Sequence, residues 1–400
     1  MHATLRLAAP WQKLPRSRNI TCDIFCRVVD NFGDIGVTWR LARQLAKEFA
    51  VDVRLVVDDL ASFQKLVPEI NLHSDEQQVS GVAIMKWRDN MPLEPGQWVI
   101  EAFQCELPPR YLNAMAAKPL NRFGHACTVW LNLEYLSAES WVGGHHLLPS
   151  PHPQTGLSKH FFFPGFRADT GGVLRERDLL LERDHFFREH PRIKTLKIFL
   201  FGYANAASGG LLQAFASLAD RSEMPVICTI PAGGLAQQVE LQIEQKIEQQ
   251  FKQGGAVEGE PSRLKINIHP FCPQSDFDRL LWWHDILFVR GEDSFVRAQW
   301  AGKPFIWLIY PQAERAHWRK LSAFLDLYCE DLPATAAVAL RELHRAWNDE
   351  DNASIGAAFQ AFMAQLPHLT VHAKNWSQKL ADMPDLATQL MTFYVKTAKI

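Results

Sequence analysis

The sequence predicts an α/β protein built from two Rossmann-like domains. Two blocks of the chain each alternate short apolar runs with longer stretches of helical periodicity, as expected for parallel sheets flanked by helices. Each block also carries a glycine-containing turn with carboxylates directly after a strand, at residues 30–36 and 290–294. Ligands bind at the carboxyl ends of such strands, so these two turns are the candidate sites.

The first block is assigned to residues 21–175. It begins with a strand at 22–29 and an amphipathic helix at 37–49, and further apolar runs predict strands at 51–57, 82–87, 98–103 and 127–133 in a parallel sheet. Residues 143–166 are rich in glycine, histidine and aromatic side chains and are predicted as loop, with the linker after them. Residues 1–20 are basic with only a short apolar patch, which predicts a disordered extension rather than a signal peptide.

The second block is assigned to residues 176–380 and repeats the alternation before becoming helical throughout. The predicted strands are 196–201, 225–230, 264–269, 286–289 and 304–310, and the predicted helices are 210–218, 235–251, 276–283, 294–300, 318–328, 335–347 and 355–366. A last helix at 384–397, within a segment 381–400, is placed to pack back on the first domain. Two such domains facing across a cleft form the glycosyltransferase B architecture, although a fold alone does not give a function.

Composition excludes several classes of partner. The net charge of −2 and the pI near 6.7 provide no general attraction to nucleic acid or to anionic lipid. No apolar run approaches the roughly 18 to 20 residues that span a bilayer, so no membrane association is predicted. The seven cysteines are scattered, mostly inside apolar runs, and are predicted to be buried reduced thiols of a cytoplasmic protein: residues 22, 26, 105, 127, 228, 272 and 329.

The first candidate turn carries Asp30 and Asp34 together with Gly33 and Gly36. The glycines permit backbone conformations closed to other residues, and the helix that follows offers unpaired N–H groups. The pattern is not GxGxxG, and two acids beside a helix start would repel phosphate, so the turn is predicted to handle an acceptor rather than a cofactor. The alternative is that Asp30 ends a strand and Asp34 caps a helix.

The second candidate turn is predicted to hold a diphosphate. The phosphates would bind to three kinds of donor: the Arg290 guanidinium, the Ser294 hydroxyl and the free N–H groups at the helix start. Tyr310, on the next strand, is a further donor. Glu292 and Asp293 would accept hydrogen bonds from ribose or sugar hydroxyls. The alternative is helix capping by Asp293 or Ser294, which is compatible with binding.

Neighbouring loops supply candidate contacts for a nucleobase: Phe201, Tyr203, Phe271 and Gln274. No DxD motif follows a strand, and Asp30 and Asp34 lack the further ligands that Mg²⁺ needs, so the sequence predicts independence from metal. The histidines at 145, 146 and 152 have no accompanying Cys/His set and are predicted to belong to a polar loop.

Four segments together resemble the bacterial protein-arginine rhamnosyltransferases that modify elongation factor P. They are DNFGDIGV with WRL at 30–41, LEYLS at 133–137, FFFPGF at 161–166 and RGEDSFVRAQW at 290–300, and their order covers residues 22–390. The resemblance implies a glycosyltransferase B fold and an enzyme that moves rhamnose from dTDP-β-L-rhamnose to an arginine of elongation factor P, with inversion. No cofactor is expected.

The resemblance also implies residue roles. Asp30 and Asp34 fall on the catalytic positions, with Asp34 the favoured base. The residues assigned to donor binding are Arg290, Glu292, Asp293, Ser294, Tyr310, Phe271, Gln274, Tyr203, Phe32 and Gly33.

Two other readings of the sequence remain open. One is a different enzyme of the same architecture, either a sugar-nucleotide epimerase or a transferase that uses a UDP-sugar. The other is a non-catalytic binding protein for the translation factor.

Overall fold

The computed structural model describes residues 20–29, 32–90, 93–119, 128–191, 194–222, 224–252 and 263–398. Asp30, Cys127 and, apart from Ile20, the predicted N-terminal extension lie outside these ranges. The chain divides into two compact units, which are described separately. Unit 1 runs to Arg177 and resumes at Ala381, and unit 2 is Asp178–Leu380.

Unit 1 is built on an eight-stranded sheet. Its elements in chain order are β1 (Thr21–Cys26), α1 (Gly33–Phe49), β2 (Asp52–Val57), α2 (Leu60–Leu66), β3 (Glu76–Val79), β4 (Val82–Lys86), β5 (Trp98–Ala102), α3 (Pro109–Ala116), β6 (Val129–Leu133), α4 (Val142–His145), β7 (Pro149–Pro151) and β8 (Ser158–Phe162). The strand order is β3-β4-β2-β1-β5-β6-β8-β7, and β1 pairs in parallel with both β2 and β5.

Two of these strands differ from the predicted all-parallel sheet, and a third, β8, was not predicted. β3 and β7 are antiparallel to their neighbours β4 and β8 and form the two edges. The loop predicted for residues 143–166 is wrong, because β7, β8 and most of α4 lie within it and β8 pairs in parallel with β6. β3 and β7 contain no buried residue, which explains why no apolar run marks them.

The core of unit 1 is aromatic and encloses the fully buried carboxylate of Asp23. Phe25 of β1 packs against Trp87 and Tyr111 with ring centroids 5.2 and 4.7 Å apart. Asp23, fully buried in the same strand, accepts hydrogen bonds from the Tyr111 hydroxyl, from the Gly96 N–H at 2.7 Å and from the Arg54 guanidinium. The carboxylate is therefore paired and hydrogen-bonded, as burial of a charge requires.

Unit 2 carries a five-stranded parallel sheet in the order β11-β10-β9-β12-β13. Its elements are α5 (Leu179–Glu189), β9 (Leu196–Leu200), α6 (Ser208–Arg221), β10 (Val226–Pro231), α7 (Gly234–Lys252), β11 (Leu264–His269), α8 (Gln274–Trp283), β12 (Ile286–Arg290), α9 (Asp293–Ala301), β13 (Phe305–Leu308), α10 (His317–Tyr328), α11 (Ala334–Asn348), α12 (Ile355–Ala364) and α13 (Leu366–Ala381). Helix α5 was not marked by the sequence pattern, because it buries only two side chains, Leu179 and Phe186.

The last helix, α14 (Leu386–Ala398), packs on unit 1. Its Tyr394 ring stacks on Trp98 of β5, with centroids 4.9 Å apart and ring planes 25° from parallel. Both rings are buried, at 2% and 0% exposure. Because unit 1 resumes at Ala381, the chain end contributes to the core of the first sheet.

The predicted α/β class with two Rossmann-like sheets is confirmed. Among the described cysteines, all are unpaired thiols and all but the half-buried Cys272 are buried. Within the same ranges, none of the helices is long and apolar enough to cross a membrane.

Candidate active site

The first candidate turn lies where the order of the unit 1 sheet reverses. β1 is flanked by β2 on one side and by β5 on the other. After β1 the chain moves outward to β2 and β4, and after β5 it moves outward in the opposite direction to β6 and β8. In open α/β sheets this arrangement opens a crevice at the carboxyl ends of the strands, where ligands bind. Helix α1 starts at Gly33, four residues before the predicted start. Gly33 and Gly36 are therefore helical, and the prediction that they adopt an unusual backbone conformation is wrong.

Asp34 is fixed at both carboxylate oxygens. One oxygen accepts the Val29 N–H at 2.8 Å, and the other accepts the Tyr135 hydroxyl at 3.0 Å. The side chain is 1% exposed and stands in the first turn of a 17-residue helix, whose dipole favours a negative charge there. The reading of Asp34 as a cap is wrong, because Phe32 occupies the N-cap position without a side-chain bond and Asp34 bonds back to the strand-end loop.

Tyr135 is held in turn by an aromatic stack. It follows β6, and its ring lies 4.4 Å from that of Phe103 with only 13° between the planes. Phe103 and Gln104, directly after β5, have φ angles of 56° and 58°. Left-handed backbone at two successive non-glycine residues is uncommon and collects at binding sites, which points to a loop shaped for function.

A second carboxylate, Glu134, lies in the same loop cluster. Gln104 donates from its amide nitrogen to both Glu134 oxygens, at 3.0 and 3.1 Å, and Asn132 donates to one of them at 2.7 Å. Burial raises the pKa of Glu134. Asp34, Tyr135, Phe103, Gln104 and Glu134 are called the Asp34 cluster below. Only Asp34 of this group was predicted as a site residue, although LEYLS at 133–137 marked the segment.

The other predicted residues of this turn have mixed outcomes. The Phe32 carbonyl accepts the Gly36 N–H at 2.9 Å, and the Lys65 ammonium lies 5.9 Å from the Phe32 ring centroid. Gly33 is the first residue of α1. Their predicted contact with the sugar donor stays a prediction. Asp30 lies outside the described residues.

In unit 2, Arg290 ends β12 and lies against two aromatic rings. Its guanidinium carbon is 4.3 Å from the Tyr203 ring centroid and 4.7 Å from that of Phe201. Tyr203 in turn makes an edge contact with Tyr310, with centroids 6.0 Å apart. Tyr310 is 38% exposed. Arg290 is thereby positioned by rings that were predicted only as nucleobase contacts.

The loop after Arg290 is braced by its own hydrogen bonds. The Arg290 N–H donates to the Ser294 hydroxyl oxygen at 3.0 Å, and that hydroxyl donates to the Arg290 carbonyl. Gly291 has a φ of 61°, and the Trp307 indole N–H donates to its carbonyl at 2.7 Å. Capping by Asp293 or Ser294 is wrong, because α9 begins at Asp293 with Glu292 as the N-cap residue and no side-chain cap bond.

The two acids of this loop both meet donors. Glu292 lies 3.4 Å from the Lys320 ammonium of α10, and Asp293 accepts the Gln274 amide at 3.2 Å. Lys320 was not predicted, and its ammonium offsets the negative charge of Glu292, which by itself would repel a phosphate. Gln274 is 2% exposed at the start of α8, and Phe271 is half-buried three residues before it. The Arg290 cluster denotes Tyr203, Phe271, Gln274, Arg290, Glu292, Asp293, Ser294, Tyr310 and Lys320.

Local bonds account for the three histidines of the predicted polar loop. A ring nitrogen of His145 bonds the Trp141 carbonyl at 2.8 Å, one of His146 accepts the Phe163 N–H at 3.1 Å, and one of His152 bonds the Thr155 hydroxyl at 3.1 Å. Burial lowers the pKa of His146 to about 4. In the part of the chain that the structure describes, no group of three or more His, Cys, Asp or Glu side chains is arranged to hold a metal ion.

Comparison with known proteins identifies the family. The profile of the elongation-factor P rhamnosyltransferases, EarP, matches residues 22–395. The chain belongs to the EarP family. A protein-arginine rhamnosyltransferase of Pseudomonas putida is 44% identical over 391 residues, covering 94% of this chain and 98% of that protein. One of Pseudomonas aeruginosa is 42% identical, covering 93% and 98%.

Solved structures agree with this membership. A structure described as the basis for EarP-mediated arginine glycosylation of translation elongation factor EF-P is 33% identical, with a TM-score of 0.59 over 95% of this chain and all of that one. Arabidopsis thaliana UGT89C1, solved with UDP, shares the fold alone, at 12% identity and a TM-score of 0.50 over 95% of this chain and all of that one. Membership of the EarP family makes the chain an enzyme, a rhamnosyltransferase.

Proposed function

We propose that this enzyme transfers L-rhamnose from dTDP-β-L-rhamnose to one arginine side chain of translation elongation factor P, with inversion at the anomeric carbon. Family membership and the names of its relatives support the sugar and the arginine acceptor. The observation that carries the mechanism is the Asp34 carboxylate, held by the Val29 N–H and the Tyr135 hydroxyl at the switch point of the first sheet.

Arginine is a poor nucleophile. The pKa of its guanidinium lies above about 12, and its lone pairs are delocalised, so one carboxylate does not deprotonate it in advance. A fixed carboxylate instead orients one nitrogen and accepts its proton while the new bond forms. Asp34 is the base in this proposal, and Asp30 is the second carboxylate that clamps the guanidinium.

The reaction balances without a cofactor. A guanidinium nitrogen forms a bond to the anomeric carbon as the bond from that carbon to the dTDP oxygen breaks. The nitrogen loses one proton to Asp34, and the bonding electron pair leaves with dTDP. Attack from the side opposite the leaving group inverts the sugar.

The Arg290 cluster supplies what the leaving group needs. The guanidinium and the N–H groups at the start of α9 stabilise the negative charge that grows on the diphosphate. Tyr310 donates to the same phosphates, while Glu292 and Asp293 accept from sugar or ribose hydroxyls. Tyr203, Phe271 and Gln274 contact the nucleoside. These groups replace a divalent cation in the proposal, which is why the enzyme is expected to need none.

Intact mass spectrometry of elongation factor P tests the function. Incubation with the enzyme and dTDP-β-L-rhamnose should add one deoxyhexose to the factor, and fragmentation should place it on an arginine. UDP-glucose in place of the rhamnose donor should add nothing. A factor of unchanged mass that still binds the enzyme would instead support the non-catalytic reading.

Calorimetric titration of the enzyme separates the proposal from the UDP-sugar alternative. dTDP should bind more tightly than UDP if the nucleoside contacts select thymine. The opposite order would favour a UDP-sugar as donor. Addition of EDTA should leave the rate of transfer unchanged.

A further inference from the structure

A cavity lies in unit 2, at the sheet edge opposite the Arg290 cluster. Its volume is about 460 Å³, within the range of small-molecule sites. Its floor is formed around the amino ends of β9, β12 and β13, and its walls come from α5, the end of α8 and α13. β12 leaves this cavity at Asp285 and ends at Arg290, so the cavity and the proposed donor site lie at opposite ends of one strand.

The described lining of this cavity carries an excess of positive charge. Three lysines, Lys197, Lys303 and Lys374, line it together with the carboxylate of Asp285. The only other charged pair in the lining, Arg183 and Asp184, is already matched by a contact of 2.9 Å between guanidinium and carboxylate. With histidine neutral, the four cations and two carboxylates of the described lining sum to a net charge of +2.

Two of these ammonium groups are held against aromatic rings. The Lys197 nitrogen lies 3.5 Å from the Trp283 ring centroid, and the Lys303 nitrogen lies 4.8 Å from that of Phe187. Lys303 is 7% exposed, and burial lowers the pKa of Lys197. Cations placed in this way are partly desolvated, which strengthens their attraction to an incoming anion.

The lining also offers an aromatic surface for the body of a ligand. Trp283 is 45% exposed, although it is one of the largest apolar side chains. Lys197 lies over its ring, so an anion bound at that ammonium would bring its own apolar part beside the indole. The cavity therefore combines a positive floor with an accessible ring.

We propose that this cavity is a second ligand site, which binds a small phosphate monoester that carries an aromatic ring. A phosphate monoester carries a charge between about −1.5 and −2 at pH 7, which matches the two excess positive charges, whereas a carboxylate carries only one. The aromatic ring packs against Trp283. The site is independent of the reaction at the Arg290 cluster.

Phenyl phosphate is the probe for this site. Titrated into the full-length enzyme by calorimetry, it should bind with a Kd below about 1 mM. Inorganic phosphate, which has the charge without the ring, and phenol, which has the ring without the charge, should each bind at least about ten-fold more weakly. The phenyl phosphate Kd should be the same with and without saturating dTDP.

Three variants assign the binding to the cavity. Lys197→Met removes the ammonium beside Trp283, and Lys374→Glu reverses an exposed charge on α13 without disturbing the core. Each should weaken the binding of phenyl phosphate at least about ten-fold, because a charged hydrogen bond or ion pair is lost. Lys265→Met, on an exposed position of the edge strand β11, is the matched control and should bind as the unmodified enzyme does.

Three results would overturn the proposal. The first is equal phenyl phosphate affinity in Lys374→Glu and Lys265→Met, a comparison that holds even where Lys197→Met does not fold. The second is displacement of phenyl phosphate by dTDP, which would place the probe at the Arg290 cluster. The third is inorganic phosphate binding as tightly as phenyl phosphate, which would remove the aromatic ligand class. A failure of dTDP to bind at all would count against the proposed function and not against this cavity.

Discussion

At the scale of single residues, the Asp34 cluster is defined by contacts between distant parts of the chain. Asp34 could be selected from the sequence because it stands in a strand-to-helix turn. Its partner Tyr135 could not, since 101 positions separate the two residues and no local spacing rule reaches that far. The LEYLS segment carried a family signal, but the sequence did not give it a physical role. The sheet does so, because β1 and β6 both end at the same edge.

Tyr135→Phe should reduce kcat for rhamnosyl transfer about 10- to 100-fold. The substitution keeps the stack on Phe103 and removes the hydroxyl that holds one oxygen of Asp34, a hydrogen bond to a charged group worth about 1.5–3 kcal/mol. KM for the sugar donor should stay within a few-fold. Steady-state kinetics measures both quantities.

Tyr111→Phe is the matched control, because it also removes a hydroxyl bonded to an aspartate of β1, namely Asp23. It should lower the melting temperature and leave kcat unchanged. If both variants lost stability and activity in parallel, Tyr135 would be structural rather than a positioning residue.

Arg290→Ala should weaken dTDP binding about 10- to 100-fold, since charge-assisted bonds to the diphosphate are lost. Titration calorimetry with dTDP measures the change. Arg341→Ala, which breaks an exposed ion pair with Asp326, is the control and should bind dTDP normally. Unaltered dTDP affinity in Arg290→Ala would remove the diphosphate assignment.

At the scale of elements, the loop between β12 and α9 shows where capping rules fail. The sequence places Asp293 and Ser294 at a helix start, and both are good N-cap residues. The Ser294 hydroxyl is instead bonded to both backbone groups of Arg290, four residues earlier, and this closes the loop around Gly291. Propensity alone does not distinguish a serine that caps its helix from one that fastens the preceding strand end.

The left-handed backbone of Gly291 provides a test of that loop. Gly291 and Gly302 have φ angles of 61° and 63° and stand before and after α9. Alanine at either position should cost about 1–2 kcal/mol of unfolding free energy, because left-handed backbone is unfavourable for residues with a Cβ. Chemical denaturation measures this cost.

Only Gly291→Ala should also weaken dTDP binding. Gly291 directly follows Arg290 and its carbonyl is bonded to the Trp307 indole, so a strained backbone at this position would displace Arg290. Gly302→Ala is the matched control. Equal dTDP affinity in the two variants would show that the loop does not set the position of Arg290.

Most strands and helices could be predicted where the buried residues form a continuous run or lie on one face of a helix. β1, β5, β6, β12 and β13 are almost wholly buried and appear as apolar runs. Apart from the buried Phe162 of β8, the strands that the sequence missed consist of exposed and half-buried residues. They owe their pairing to a neighbouring strand rather than to their own composition. This is a tertiary effect that a local pattern does not contain.

At the scale of the whole molecule, each unit supplies one part of the proposed chemistry. Unit 1 provides the carboxylate that orients and deprotonates an arginine, and unit 2 provides the cationic and aromatic groups suited to a nucleoside diphosphate. The fold class could be predicted from alternation alone, and family membership confirms the activity class. The acceptor protein and the donor nucleotide are chemical proposals that rest on particular side chains.

A chain that ends at Leu380 should lose the stability of unit 1. The truncation removes α14 and uncovers the Trp98 ring on which Tyr394 stacks. Thermal unfolding should show an early transition, while dTDP binding, which the proposed function assigns to unit 2, should persist. A chain ending at Ala398, with α14 complete, is the control. Normal unfolding of the shorter chain would show that α14 is dispensable.

Single-turnover transfer by Asp34→Asn tests the central claim most directly. Enzyme in excess over elongation factor P, with dTDP-β-L-rhamnose, is sampled by intact mass over time. The amide keeps the size of the side chain but does not accept the proton, so the rate should fall about 10²- to 10⁴-fold while dTDP affinity stays within a few-fold. Rhamnosylation by Asp34→Asn at the rate of the unmodified enzyme would contradict the assignment of Asp34 as the base.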